Sequence, residues 1–196
     1  MTESKNTKLI VLPEELVKEL GGISKRLGIS ISNFATEALE QAIKIDKFNA
    51  SLSDAVDLFR LVSIQQGAGG LTIPRTTLNQ FLTNFTIKND ELEKIWFEAG
   101  RWYGEYLNTK LGFNESLIFL ENDLKLSWNL DEVEITDNKY DVKIRCVSFM
   151  MTENMTDLLI SYIRGIMAAL NYKETKEEHL RGMIFLKYNK YVKNDN

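Results

Sequence analysis

The sequence predicts an α+β protein in two parts: a strand-helix-helix module over residues 1–48, then an α+β domain with an antiparallel sheet over 49–196. Three observations predict it. A β-branched and apolar run at residues 7–12 is stopped by Pro13 and followed by two amphipathic helical segments. Long helical periods then dominate to about residue 111. From Leu117 the hydrophobic period moves from 3.6 toward 2.

In chain order, the opening Thr7-Lys8-Leu9-Ile10-Val11-Leu12 reads as a short strand. Pro13 suits a first helical turn, and Glu14 and Glu15 follow where acids favour the helix dipole. Leu16, Leu20, Ile23 and Leu27 recur at helical spacing up to Gly28, a natural C-terminal stop, while Gly21 and Gly22 weaken the middle. Ser30 or Ser32 caps a second helix, whose Phe34, Ala35, Ala38, Leu39, Ala42 and Ile43 form one stripe. Further helices are expected over 53–65, 74–85 and 90–111, the last with Leu92, Ile95, Trp96, Ala99, Tyr103 and Tyr106 on one side. On that helix Gly100 and Gly104 lie four apart, which lets another backbone come close. Val133-Glu134-Ile135 and the alternating Tyr140, Val142, Ile144 and Cys146 make a hairpin, 155–172 a helix, and 183–192 a last strand.

Composition bounds the function. Hydrophobic residues at 44% and charged residues at 27% exclude disorder and fibrous repeats. No apolar run nears the roughly 18–20 residues of a membrane span, and the start lacks a signal-peptide layout, so a cytoplasmic protein without membrane contact is expected. A single cysteine, Cys146, and a single histidine, His179, leave no internal disulfide and no ordinary zinc cluster. The net charge of −4 excludes wholesale coating of nucleic acid but not a local DNA contact, since residues 1–48 balance seven basic against seven acidic side chains.

A strand and two helices in about 45 residues build too little core to stand alone, so the N-terminal module is expected to dimerise. Its run LIVLPEELVKELGGISKRLGISISNFATEALEQAI resembles the ribbon-helix-helix family of DNA-binding proteins, through the leucine-proline-acid junction, the glycine-x-serine between helices and the alanine-rich second helix. The resemblance implies an intertwined homodimer whose paired strands enter the major groove of double-stranded DNA. It also implies that Leu12 and Ile10 point inward while Thr7, Leu9 and Val11 face the bases. Leu9 and Val11 reach only thymine methyls or similar apolar edges, where the family usually places polar or basic side chains. Ser30, Ser32 and Asn33, at a helix N-terminus beside Lys25 and Arg26, are the candidate phosphate contacts. The alternative reading makes the ribbon a dimerisation device in a scaffold that binds no DNA.

The segments WFEAGRWYGEYL, WNLDEVEITDNKYDVKIRCVSF, LISYIRGIMAAL and GMIFLKY resemble, more weakly, the ligand-binding domain named after 4-vinyl reductase. That resemblance implies a pocket for a small apolar ligand; the family often has cysteines near its last helix and strand, where this chain has His179 and none. Trp96, Trp102, Phe149 and Met167 are the candidate lining, and five of the six methionines lie between Met150 and Met183, where flexible thioethers suit an adaptable pocket or simply a core. Arg145 and Arg164 are candidates to meet a ligand carboxylate. No phosphate loop, nucleophile motif or activated Cys146–His179 pair is legible, so neither catalysis nor a cofactor or metal is expected. The expected whole is a dimeric transcription regulator with a small-molecule sensor domain.

Overall fold

The computed structural model describes residues 9–84, 89–138 and 140–190. Its elements are seven helices and four strands: α1 (Glu14–Leu27), α2 (Ile31–Asp46), α3 (Leu52–Gly67), α4 (Arg75–Asn84), α5 (Asn89–Leu111), α6 (Phe113–Ser127), β1 (Glu132–Asp137), β2 (Asp141–Val147), α7 (Glu153–Ala169), β3 (Tyr172–Leu180) and β4 (Met183–Lys190). The class is α+β, with one antiparallel sheet of order β1-β2-β4-β3. Two compact units result, Met1–Arg60 and Leu61–Asn196, and the division falls within α3. Among the described residues no helix is long and apolar enough to cross a membrane.

In the first unit α1 starts directly after Pro13 with Glu14 and Glu15 in its first turn, and ends with Lys25 and Arg26 in its last, both favourable to the dipole. Gly28 at φ 70° turns the chain out, its N–H donating to the Lys25 carbonyl and that of Ile29 to the Ser24 carbonyl. Ser30 caps α2 by accepting from the Asn33 N–H at 3.1 Å, which decides between the two serines. Ser51 and Asp54 close a reciprocal box at the start of α3: the Asp54 carboxylate accepts from the Ser51 N–H at 2.7 Å, and the Asp54 N–H donates to the Ser51 hydroxyl. Of the strand expected at 7–12, the described residues 9–12 lie outside any sheet, because a strand needs a hydrogen-bonded neighbour and none among the described residues reaches them. Thr7 and Lys8 lie outside the described residues.

In the second unit α7 lies across the sheet. Leu159, Ile163, Ile166, Met167 and Leu170 of the helix bury against a core that includes Ile144, Ile184, Leu186 and Tyr188. α5 crosses α7 backbone to backbone: a Cβ on Gly100 would stand 2.0 Å from the Tyr162 carbonyl oxygen, and one on Gly165 2.0 Å from that of Phe97. The glycines of α5 therefore serve packing within the chain. The β1 edge is blunted by α6, whose Glu121 carboxylate accepts from the Ile135 N–H at 3.1 Å.

Two elements correct the sequence reading. Residues from Leu117 onward do not begin a period-2 region; they belong to α6, with Leu117, Leu120 and Leu124 buried at helical spacing and the chain restarted by Gly112 at φ 78°. The helix expected over 155–172 ends at Ala169, and Tyr172–Leu180 is an edge strand with no apolar alternation to announce it.

Candidate functional site

Those residues expected to touch DNA that the structure describes are exposed, and exposure alternates along residues 9–12. Along residues 9–12 the solvent-accessible fractions are 93% for Leu9, 65% for Ile10, 87% for Val11 and 39% for Leu12, the period of an extended chain with Ile10 and Leu12 on the more sheltered side. Thr7, the third residue expected on the outer side, lies outside the described residues. Lys25 and Arg26 are exposed in the last turn of α1, and Ser30, Ser32 and Asn33 are exposed around the start of α2. There the Asn33 N–H is taken by Ser30, and the first-turn amides of Ile31 and Ser32 have no carbonyl to bond within the helix.

This unit lacks an interior. Among its described residues the one buried side chain is that of Ser24, whose hydroxyl has no hydrogen-bond partner; Leu16, Val17, Leu27, Leu39 and Ile43 all remain exposed.

The four residues expected to line a ligand pocket are not brought together. Trp96 packs with Trp128 at 5.0 Å and Tyr162 at 6.0 Å between ring centroids. Trp102 is half-exposed and stacked on Tyr106 at 5.7 Å. Phe149 is exposed in the segment after β2, where its N–H donates to Asp131. Met167 is fully buried in the core under the sheet. Void space appears instead as an open groove of about 330 Å³, lined by Asn79, Leu82 and Thr83 of α4 and by Thr152, Glu153 and Asn154 at the start of α7. Arg145 and Arg164 are both engaged within the chain, Arg145 with Glu132 at 3.1 Å and Arg164 with Glu174 at 2.8 Å and with Glu177.

Cys146 and His179 do not form a pair. They share one transverse row of the sheet, Cys146 on β2, Ile184 on β4 and His179 on β3, so Ile184 stands between them and two strand spacings separate them by about 10 Å. Burial pushes the Cys146 thiol up to about 12. His179 instead meets Glu177 at 2.8 Å and Asp157 at 3.6 Å. Among the described residues no group of three or more histidines, cysteines and acids is placed to hold a metal ion.

Sequence reasoning missed a buried acid. Asp123 of α6 accepts at one oxygen from the Gln65 amide of α3 at 2.8 Å and from the Ser127 hydroxyl at 2.9 Å. Burial raises its pKa, and these hydrogen bonds oppose the rise. The Tyr103 hydroxyl is buried nearby, and its pKa rises through burial first and the Asp123 charge second. The signal was available: Asp123 falls on the apolar face of its helix, three residues after Leu120.

No protein-family model matches the sequence, and no curated protein matches it. Several solved structures are similar to it in part. One, described as "Modulating Heme Redox Potential Through Protein-Induced Porphyrin Distortion", shares 16% identity over 54% of this chain and 76% of that one, with a TM-score of 0.32. A point mutant of T. tengcongensis H-NOX shares 15% over 53% and 73%, with a TM-score of 0.29. A Cs H-NOX mutant carrying the unnatural amino acid 4-cyano-L-phenylalanine shares 15% over 78% and 92%, with a TM-score of 0.32. At such values no ligand or activity carries over to this chain.

Proposed function

We propose that the chain is a homodimeric DNA-binding regulator of ribbon-helix-helix type, in which residues 7–12 of two copies pair antiparallel and enter the major groove of double-stranded DNA. One observation carries the reading: the first unit buries no hydrophobic side chain among its described residues, while the apolar residues 9–12 are exposed, belong to no sheet and lead into two amphipathic helices. A fold that closes only on a second copy accounts for all three features. The first-turn amides of α2, with Lys25 and Arg26, are then the phosphate contacts, and the side chains of Thr7, Leu9 and Val11 face the bases.

The second unit braces the dimer in this reading and offers the α4–α7 groove to a small ligand. Five of the six side chains lining that groove are polar, so an amphipathic ligand suits it better than a wholly apolar one. A ligand preferring one disposition of the two copies would couple to DNA affinity.

Fluorescence anisotropy on a labelled pool of mixed-sequence duplexes tests the DNA reading. The dimer should bind with an affinity that falls steeply as salt rises, and a Lys25→Ala, Arg26→Ala variant should bind more weakly with a shallower slope. A dimer with no salt-dependent binding would leave the scaffold reading in its place.

A further inference from the structure

Helix α3 carries apolar residues on two opposite faces. At about 100° per residue, Leu61, Ile64 and Ala68 fall on one side, and there Leu61 is buried and Ile64 and Ala68 are half-buried against the core of the second unit. Leu52, Val56 and Phe59 fall on the other side, and there they remain 50%, 64% and 74% exposed. A surface helix needs one apolar stripe; a second one calls for a second neighbour. We infer that α3 pairs with α3 of a second copy, extending the dimer beyond the N-terminal ribbon.

Three observations commit this stripe to another copy of the same chain. Its exposed apolar area is on the order of 400 Å² per copy, the size at which a patch marks an interaction site. It follows directly in sequence on the exposed Leu39, Ile43 and Phe48, so the unburied positions of α2 and α3 form one series along the chain. A stable interface buries roughly 800 Å² per partner, and the exposed face of α3 adds to what residues 9–12 and the stripes of α1 and α2 supply in the proposed dimer. Asp54 and Asp57 lie away from the stripe on the helix and Arg60, four residues after Val56, flanks its edge, so its centre carries no charge to desolvate.

This inference rests on the dimer in the proposed function but not on DNA binding. The native chain suits a cysteine test, since its one thiol, Cys146, is buried in the sheet. In the full chain Val56→Cys should form a disulfide-linked dimer on mild oxidation, and Asp57→Cys, off the stripe, should not. Phe59→Ala should weaken the dimer in sedimentation equilibrium on the order of 30-fold or more, as for an aromatic at an interface centre. A wild-type chain that stays monomeric would overturn both this pairing and the proposed function. A stable dimer in which Val56→Cys does not cross-link and Phe59→Ala keeps wild-type affinity would overturn the pairing alone. Cross-linked dimers that bind no DNA would keep the pairing and remove the regulator.

Discussion

Substituting Gly165 by alanine tests the crossing of α5 and α7 on which the second unit is built. The new Cβ would lie 2.0 Å from the Phe97 carbonyl oxygen, 2.6 Å from the Arg101 nitrogen and 3.0 Å from the Gly100 carbonyl carbon. All three are backbone atoms, so no rotamer change relieves the clash. Restoring ordinary contact near 3.4 Å requires the helices to part by about 1.4 Å, which opens the layer held by Leu107, Ile163 and Ile166. Overpacking costs about 1–3 kcal/mol, and immovable obstacles place this case at the upper end. Alanine returns roughly 0.5–1 kcal/mol of helix propensity, so the net loss is about 2 kcal/mol. For a chain of this size that lowers Tm by roughly 4–8 °C. Thermal unfolding followed by circular dichroism reads it. Gly22→Ala is the control, since nothing lies within 4 Å of its added Cβ and α1 should gain stability. A Gly165→Ala protein melting at or above wild type would refute the backbone-to-backbone crossing.

Other consequences follow from single groups. Because the folded-state pKa of Asp123 is raised, its contribution is full below the unfolded carboxylate pKa and is lost as pH rises through the folded value. Asp123→Asn, which carries no charge to bury, should therefore melt higher than wild type at pH near 8 and lose that advantage in acid; a pH-independent difference would contradict the buried-acid reading. Ser30→Ala should cost about 1 kcal/mol of helix stability by freeing the Asn33 N–H, measured by chemical denaturation, whereas Ser32→Ala should cost little. Cys146 should resist thiol reagents until the protein unfolds, and rapid labelling of the folded chain would show that the sheet opens there. If Leu9 and Val11 face the bases, duplexes carrying uracil in place of thymine should bind more weakly, and equal affinity would exclude methyl contacts.

Local chemistry was legible wherever a residue acts on its own neighbours. Pro13 with Glu14 and Glu15 gave the start of α1, Gly28 its end, and the stripe from Phe34 to Ile43 gave α2. The hairpin of Val133–Ile135 with Val142–Cys146 was visible because one face of it is buried and the other charged. The start of α2 at Ser30 was likewise legible. The pocket was not: Trp96, Trp102, Phe149 and Met167 are apolar in the same way on the page, and composition cannot tell a core residue from an exposed one.

The sequence by itself determined the α+β class, the periods of α1 to α5 and the lack of a self-sufficient core in the first forty-odd residues, because these depend on spacing within a few turns of chain. Only the tertiary structure decided that Tyr172–Leu180 is a strand, since its inward Glu174 and Glu177 are held by Arg164 of α7, and an edge whose inner face is paired by charge leaves no apolar alternation to read. It alone placed Gly100 and Gly165 against a neighbouring backbone and set Asp123 beside Gln65, fifty-eight residues away, because such contacts join segments whose local preferences carry no record of each other.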